Sequence, residues 1–210
     1  MDTTNIPEDL WHYRGILPHL EQQKVQVLTF RLYDSVPSNI IKEWKILLSQ
    51  KKGIDGNLSQ INRLKKQIDQ YEDAGHGKCF LQDSKIAKIM EDTLFYNEGK
   101  KYNLIRWCIM PNHVHVLMEV FDNVTISSIM YQWKSYTAHQ ANAVLKRDGI
   151  FWMQEYHDRF VRDIDHFCNV VNYIDNNPVK AGLAQAPSDW RWSSAYHELH
   201  NPELVRKLYF

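Results

Sequence analysis

The chain has 210 residues with 25 basic and 25 acidic side chains, so its formal net charge is zero. Its length predicts one domain with room for a proper core. The balanced charge excludes a generally basic nucleic-acid-binding protein, so a nucleic-acid partner would need a local basic patch. The three cysteines are widely spaced, which argues against a disulfide framework. Without a signal-peptide pattern or a long apolar run, we expect a cytoplasmic protein with no membrane partner.

The first predicted strand spans about residues 24–34 and follows an extended arm over residues 1–23. Apolar and polar residues alternate in this strand, and β-branched residues are enriched in it. From residue 38 to about residue 98, apolar residues recur at helical spacing, which predicts a helical insertion. Glycines near residues 51–57 interrupt the helical pattern, so we expect two helices or a bent hairpin there.

Residues 101–110 and 113–120 are the next predicted strands. The turn between them is too short for a crossover, so they form an antiparallel hairpin. Helices must cover one face of such a sheet. The order of elements predicts an α+β fold, in which helices pack on an antiparallel sheet related to ferredoxin-like folds. We expect one domain, with its core over residues 24–150 and a helical C-terminal extension over residues 151–210.

Two amphipathic helices follow the hairpin. The first begins at Asn123 or Thr125, and the second begins at Asp163 and ends at Pro178. The stretch between the two helices is mixed in character and has no clear period. The first helix carries one stripe of residues at spacings of three and four: Ile126, Ile129, Trp133, Tyr136 and Gln140.

The second strand of the hairpin contains two histidines in the stretch MPNHVHVLMEV. Because side chains alternate along a strand, His113 and His115 share one face and Val114 and Val116 share the other. The valines anchor the strand in the core, and we expect no helix to fill the histidine face. Two neutral imidazoles on one face can bind one divalent cation. The pair alone also fits histidines that are satisfied by hydrogen bonds, or a zinc site in another class of enzyme.

The stripe of the first helix contributes two polar groups that could join the candidate metal site. Tyr136 and Gln140 are one helical turn apart, so they lie on the same side of the helix. If the stripe packs beside the histidines, the site gains a phenol nucleophile and an amide oxygen ligand. The alternative for Tyr136 is packing of an aromatic ring in the core.

Four stretches, in this order, carry a resemblance to a known family: MPNHVHVL, WKSYTAHQAN, YIDNNPVKAGL and WRWSSAY. They resemble the single-tyrosine HUH transposases and, more closely, their chromosomal relatives, the REP-associated tyrosine transposases. The resemblance covers roughly residues 11–197. It implies an enzyme that cuts and rejoins single-stranded DNA near hairpins.

The resemblance also implies roles for particular residues. His113 and His115 would hold Mg²⁺ or Mn²⁺, and Gln140 would complete the metal site. Tyr136 would attack the scissile phosphate, forming a 5′-phosphotyrosine bond and leaving a free 3′-OH. Some members exchange tyrosines between the subunits of a dimer and others act alone, so a homodimer is one arrangement that the resemblance allows.

The ligand types lead to a first testable prediction. Mg²⁺ prefers oxygen ligands, whereas imidazoles suit Mn²⁺ or another transition ion better. We therefore expect Mn²⁺ to support DNA cleavage at least as well as Mg²⁺ in a titration with each metal. Activity with Mg²⁺ alone would count against two imidazole ligands.

Contacts to DNA phosphates would have to come from local basic residues, each of which could equally lie on a solvated helix face. The candidates near the tyrosine helix and in the stretch DRFVRD are Lys134, Lys146, Arg147, Arg159 and Arg162.

The sequence leaves two other tyrosines as candidate nucleophiles and two other functions as alternatives. Tyr156 and Tyr173 are alternative nucleophiles, and we expect neither to have a ligand at the next helical turn. One alternative function is a domesticated relative that binds hairpin nucleic acid without cutting it. The other is a metallohydrolase with the same histidine pair and no nucleic-acid substrate.

Overall fold

The computed structural model of the chain describes residues 11–14, 17–20, 25–49, 63, 66–68, 70–71 and 73–205. The bend predicted near residues 51–57 lies outside this part of the chain. Among the described residues, no helix is both long and apolar enough to cross a membrane.

The described residues form two antiparallel sheets and five α-helices. A small hairpin comprises β1 (Trp11–Arg14) and β2 (Leu17–Leu20). The main sheet has the order β4-β5-β3-β6 and contains β3 (Val25–Leu32), β4 (Tyr102–Ile109), β5 (His113–Val120) and β6 (Trp152–Phe160). The helices are α1 (Ser38–Ser49), α2 (Ser84–Tyr96), α3 (Ile126–Leu145), α4 (Ile164–Lys180) and α5 (Ser194–His200).

The main sheet and two helices follow a ferredoxin-like path. The order along the chain is β3-α2-β4-β5-α3-β6, and every pair of neighbouring strands is antiparallel. Two interleaved βαβ units of this kind form the ferredoxin-like motif. The predicted α+β fold is therefore confirmed, with β6 as the fourth strand.

Helices α2 and α3 cover one face of the main sheet. Val114 and Val116 of β5 share a buried cluster with Met90 of α2 and with Ile129 and Trp133 of α3. These residues follow the helical stripe and the strand alternation that the sequence predicts. This face therefore holds the larger part of the core.

Helix α4 covers the opposite face, which we call the histidine face because it carries His113 and His115. Leu117 of β5 and Cys108 of β4 form a second buried cluster there with Val170 and Ile174 of α4. The expectation that no helix fills this face is therefore wrong.

Two predicted boundaries differ from the structure. The core does not end at residue 150, because β6 pairs with β3 and completes the sheet. Helix α4 does not end at Pro178 but continues to Lys180. Pro178 lies in the last turn of the helix, where its missing N–H removes a single hydrogen bond and few residues follow it.

The segment after α4 packs on the free edge of β4. The backbone N–H of Ile109 donates to the carbonyl of Trp192 at 2.8 Å. The Ser194 hydroxyl accepts from the N–H of Trp107 and lies 3.1 Å from the carbonyl of the same residue. These bonds hold the C-terminal segment against the sheet.

Candidate active site on the histidine face

The two histidines predicted from the sequence lie together beneath α4. Their side chains are 0% and 1% exposed, and their ring centroids are 4.6 Å apart. The Nε2 atoms of His113 and His115 are 3.0 Å apart. The alternation of β5 thus places both rings on one face, as predicted.

Hydrogen bonds set the tautomer of His113 and allow either tautomer of His115. The Asn112 amide nitrogen donates to the carbonyl of His76 at 2.9 Å, so its oxygen accepts from Nδ1 of His113 at 2.7 Å. Nδ1 of His115 lies 2.8 Å from the Thr29 hydroxyl, while its Nε2 lies 3.2 Å from the amide nitrogen of Asn177. A proton on Nδ1 of both rings satisfies all of these contacts.

The two facing Nε2 atoms either share one proton in a hydrogen bond between the rings or both carry lone pairs. Lone pairs at 3.0 Å repel each other unless a cation lies between them. Two ligands at a right angle, each about 2.1 Å from a metal ion, lie about 3 Å apart. The separation between His113 and His115 therefore suits two ligands of one ion.

Burial and nearby cations keep both rings neutral. Burial lowers the pKa of His113 well below its ordinary value, and the neighbouring His115, Arg31 and Lys180 lower it further. Burial also lowers the pKa of His115 to about 3, again with contributions from Arg31 and Lys180. Neutral imidazole is the form that binds metal ions.

Asn177 of α4 supplies a third group at the same point. Its side chain is 1% exposed, and its amide oxygen is buried without a hydrogen-bond partner. An unsatisfied buried oxygen is costly unless something binds it. If the side-chain amide of Asn177 were rotated by half a revolution, its oxygen would lie beside His115, where its nitrogen now lies. Two imidazoles and one amide oxygen fit a divalent ion with open positions.

Among the described residues, no group of three or more His, Cys, Asp or Glu side chains comes together as a candidate metal site. The three candidate ligands, two imidazoles and one amide, are uncharged groups.

Tyr173 lies one helical turn before Asn177 on α4. Its ring centroid is 5.2 Å from that of His115, and its side chain is 40% exposed. The spacing of four residues places the phenol and the amide on the same side of the helix. A potential nucleophile and a potential ligand therefore face the histidine pair together.

The other side of α4 is anchored to β4 and α5. Asp175 lies 3.6 Å from the guanidinium of Arg106 and accepts from the Ser194 hydroxyl at 3.3 Å. Arg106, which is 4% exposed, also pairs with Glu198 of α5 at 3.1 Å. This network fixes the rotation of α4 about its axis, so that Tyr173 and Asn177 point towards the histidines.

The family comparison matches this region. Residues 79–177 match the family model described as transposase, IS200-like. This segment is 99 of the chain's 210 residues and is similar to the IS200-like transposases. The resemblance inferred from the sequence motifs is therefore confirmed, and the matched segment runs from the loop before α2 to Asn177.

Two curated relatives of this chain come from Haemophilus influenzae. One, whose name assigns it provisionally to the REP-associated tyrosine transposases, is 26% identical over 112 residues, or 49% of this chain and 64% of that protein. The other, described as uncharacterized, is 27% identical over 95 residues, or 34% of this chain and 51% of that protein. The alignments thus span between half and two thirds of the relatives' lengths.

Among solved structures, a REP-associated tyrosine transposase bound to a REP hairpin resembles this chain. Its TM-score is 0.50 at 16% sequence identity, over 91% of this chain and 86% of that chain. This likeness agrees with the fold.

The structure does not bring Tyr136 and Gln140 to the histidines within one chain. Both lie on α3, whose buried residues pack on the opposite face of the sheet. Tyr136 is 55% exposed and Gln140 is half-buried. The assumption that their stripe packs beside the histidines is wrong, because its apolar members Ile129 and Trp133 fill the core under α3.

The Lys134 side chain contacts the backbone of β6 in the same chain. Its ammonium group donates to the carbonyls of Met153, Gln154 and Glu155 at 2.9, 3.0 and 3.3 Å, and it lies 5.2 Å from the ring centroid of Tyr156. These carbonyls lie where the register of β6 shifts against β3. We therefore assign a structural role to Lys134 instead of the predicted DNA contact.

Replacement of Lys134 by methionine is expected to lower the free energy of unfolding by about 1–3 kcal/mol, because three backbone carbonyls, two of them in part-buried bonds, lose their side-chain donor. Urea denaturation measures the change. Lys146→Met is the matched control, since Lys146 is exposed, and it should stay within about 0.5 kcal/mol of the wild type. Equal stability of the two variants would contradict the structural role.

The other predicted DNA contacts lie in different places. Arg147 packs between the rings of Tyr33 and Phe80, with centroid distances of 5.5 and 5.0 Å. Lys146, at the end of α3, is exposed. Two more exposed residues, Arg159 and Arg162, lie near the start of α4.

Sequence reasoning missed Asn177 and gave Tyr173 only as an alternative nucleophile, although the signal was present. The stretch YIDNNPVKAG contains a tyrosine and an asparagine four residues apart, at the spacing used to choose Tyr136 and Gln140. The expectation that Tyr173 lacks a ligand at the next turn is therefore wrong. Tyr156, the other alternative, is 7% exposed in the core on the opposite face.

Proposed function

We propose that this transposase cleaves and rejoins single-stranded DNA near hairpins, with Tyr173 as the nucleophile in place of Tyr136. The observation that carries the proposal is the meeting of Tyr173 and Asn177 with the histidine pair inside one chain. A single subunit then holds the complete set of reacting groups, so a homodimer is not required.

The chemical step is a transfer of a phosphoryl group between two oxygens. The phenol oxygen of Tyr173 bonds to the scissile phosphorus, and the bond from phosphorus to the 3′ oxygen breaks. The phenol proton passes to water on the exposed side of the ring, and the 3′ oxygen takes up a proton. Attack by a 3′-OH on the phosphotyrosine reverses the step and rejoins a strand, so no external energy source is needed.

His113, His115 and Asn177 would hold the divalent ion in place of the predicted set with Gln140. Such an ion, Mg²⁺ or Mn²⁺, would supply charge stabilisation for the phosphoryl group. Asn112 and Thr29 keep the Nε2 lone pairs available through their bonds to the two rings. Because both imidazoles are buried, a phosphodiester can reach them only when the side chains on α4 move aside.

Hairpin DNA is the proposed partner. The solved transposase with the same fold is bound to a REP hairpin. In this chain Arg159 pairs with Val27 in register and so lies on the histidine face, and Arg162 follows two residues after the strand. Both are exposed and can contact the DNA backbone beside α4.

The decisive experiment uses a labelled pool of DNA hairpins with randomised single-stranded flanks. The pool is incubated with the protein and Mn²⁺, and covalent adducts are separated on a denaturing gel. Trypsin then gives peptides 135–146 and 163–180, each with a single tyrosine, and mass spectrometry identifies the peptide that carries the nucleotide.

An adduct on peptide 163–180 supports the proposal. An adduct on peptide 135–146 would restore Tyr136 as the nucleophile and require a second subunit or a rearranged sheet. Hairpin binding without any adduct would favour the non-cleaving binding protein instead.

A further inference from the structure

Helix α4 carries a third polar side chain in line with Tyr173 and Asn177. Lys180, the last residue of the helix, follows Tyr173 by about two turns and Asn177 by about one turn. The three side chains therefore lie along the same side of α4. The proposed function uses the phenol and the amide, and it leaves the ammonium group without a role.

The Lys180 ammonium lies over the ring of Tyr173. Its Nζ atom is 6.0 Å from the centroid of that ring, and the ring centroid of His115 is 5.2 Å from the same point. Burial and then the charge of Arg31 lower the pKa of His115, and the charge of Lys180 lowers it further. A phosphodiester bound between the phenol and the histidines would therefore meet this ammonium group.

Asp73 of the helical insertion holds the ammonium group in place. Its carboxylate lies 2.5 Å from Nζ of Lys180 and is 17% exposed, whereas the Lys180 side chain is 57% exposed. The chain after Asp73 is also tied to the site, because the carbonyl of His76 accepts from the Asn112 amide, whose oxygen contacts His113. A lysine side chain is long and flexible, so a fixed partner is needed to keep its charge at one position.

The ion pair with Asp73 offsets the charge of Lys180, but it does not use all of the hydrogen-bond donors. An ammonium group has three N–H donors, and the contact with one carboxylate oxygen uses one of them. A charged donor that points at one oxygen acts at short range and does not need a net positive field around it. The pair therefore suits a local contact with one phosphate oxygen better than long-range attraction of DNA.

We propose that Lys180 is a catalytic residue that donates a hydrogen bond to a non-bridging oxygen of the scissile phosphate, and that Asp73 is its positioning residue. This inference rests on the proposed function, with Tyr173 as the nucleophile. When the phenol oxygen bonds to phosphorus and the bond to the 3′ oxygen breaks, the charge on the phosphoryl oxygens is redistributed. The ammonium group stabilises this charge and keeps its own protons.

Single-turnover adduct formation tests the proposal, with Mn²⁺ and a hairpin sequence recovered from the wild-type adducts. For Lys180→Met we expect the rate at saturating DNA to fall about a hundredfold, as when one donor to a developing charge is lost. DNA affinity, from fluorescence anisotropy without metal, should fall by less than about threefold, because an interaction that strengthens in the transition state affects rate more than binding. Lys180→Arg keeps the charge and donors, so it should react at least about tenfold faster than Lys180→Met.

Asp73→Asn tests the positioning role. It weakens the hold on the ammonium group and should slow adduct formation about tenfold. DNA should bind no more weakly, because the substitution removes a negative charge near the phosphate. In a double variant with Lys180→Met, Asp73→Asn should cause no further loss of rate, since it acts through Lys180. Lys88→Met, which removes a lysine–aspartate pair on the exposed side of α2, is the matched control and should change neither rate nor affinity.

A purely structural role of the ion pair would be visible at the metal site, because a displaced α4 would carry Asn177 away from the histidines. We expect the affinity of Lys180→Met for Mn²⁺ without DNA, from electron paramagnetic resonance of free Mn²⁺, to stay within about threefold of the wild type. Parallel losses of Mn²⁺ affinity and adduct rate would overturn the proposal. A loss of DNA affinity with a normal rate at saturating DNA would also overturn it.

The proposed function fails differently, through the absence of an adduct on Tyr173 in the wild-type protein, and its failure would overturn this inference as well. An adduct on Tyr173 that forms at the same rate in Lys180→Met and the wild type would reject the role of Lys180 alone. Additive losses in the double variant would reject the positioning role of Asp73.

Discussion

Tyr173→Phe is expected to lower the rate of adduct formation by at least about a thousandfold, because it removes the oxygen that would bond to phosphorus. The ring is 40% exposed, so loss of its hydroxyl should change the free energy of unfolding by less than about 0.5 kcal/mol. DNA affinity should change little, since the remaining groups of the site stay in place. The measurement is single-turnover adduct formation with the hairpin pool and Mn²⁺.

Tyr136→Phe is the matched control for this prediction. Tyr136 is an exposed tyrosine on a helix, with a polar residue four positions later, so it has the same local setting as Tyr173. It differs in lying on α3, against the opposite face of the sheet. Its variant should form adducts at the wild-type rate. Loss of the adduct in Tyr136→Phe, with normal adduct formation in Tyr173→Phe, would return the nucleophile to α3.

Asn177→Ala is expected to weaken Mn²⁺ binding by about tenfold to a hundredfold, because it removes one of three protein ligands. The same change should cost little stability. The Asn177 amide makes one hydrogen bond, to His115, and its oxygen has no hydrogen-bond partner. Removal of a buried polar group that is only partly hydrogen-bonded lowers the free energy of unfolding very little. The Asn177 amide therefore costs stability and does not contribute to it.

Titration of Mn²⁺ in the absence of DNA measures this effect, and urea denaturation measures stability. Gln140→Ala is the control, because Gln140 is the amide one turn after Tyr136 on α3, and its affinity for Mn²⁺ should equal that of the wild type. His115→Ala sets the size of a full ligand loss. Equal losses in Asn177→Ala and Gln140→Ala would contradict a site built from α4.

Much of the fold follows from local patterns. The alternation in HVHVLMEV places the histidines on one face and the valines on the other, and the structure agrees. The hairpin of β4 and β5 follows from the short turn between them. Helix α4 begins after Asp163, whose carboxylate accepts from the N–H of His166 at 2.7 Å as an N-cap. These features depend on neighbours in sequence, so sequence reasoning reaches them.

Strand β6 was missed because it is an edge strand with an irregular register. Only Trp152 and Tyr156 are buried in it, and the register shift between them breaks a strict alternation. Its polar residues therefore resemble a loop. Without β6 the ferredoxin-like path is incomplete, and the face covered by α3 cannot be deduced from the order of elements.

The sequence by itself determined which residues of β5 face together, that two amphipathic helices follow, and that each carries a tyrosine with an amide one turn later. Only the tertiary structure decided which helix covers the histidines. In both helices, apolar residues recur at a spacing that fits one buried face. This spacing does not determine which face of the sheet the helix will cover. That choice depends on the path through β6, which places α3 with α2 over the valines and leaves the histidine face to α4.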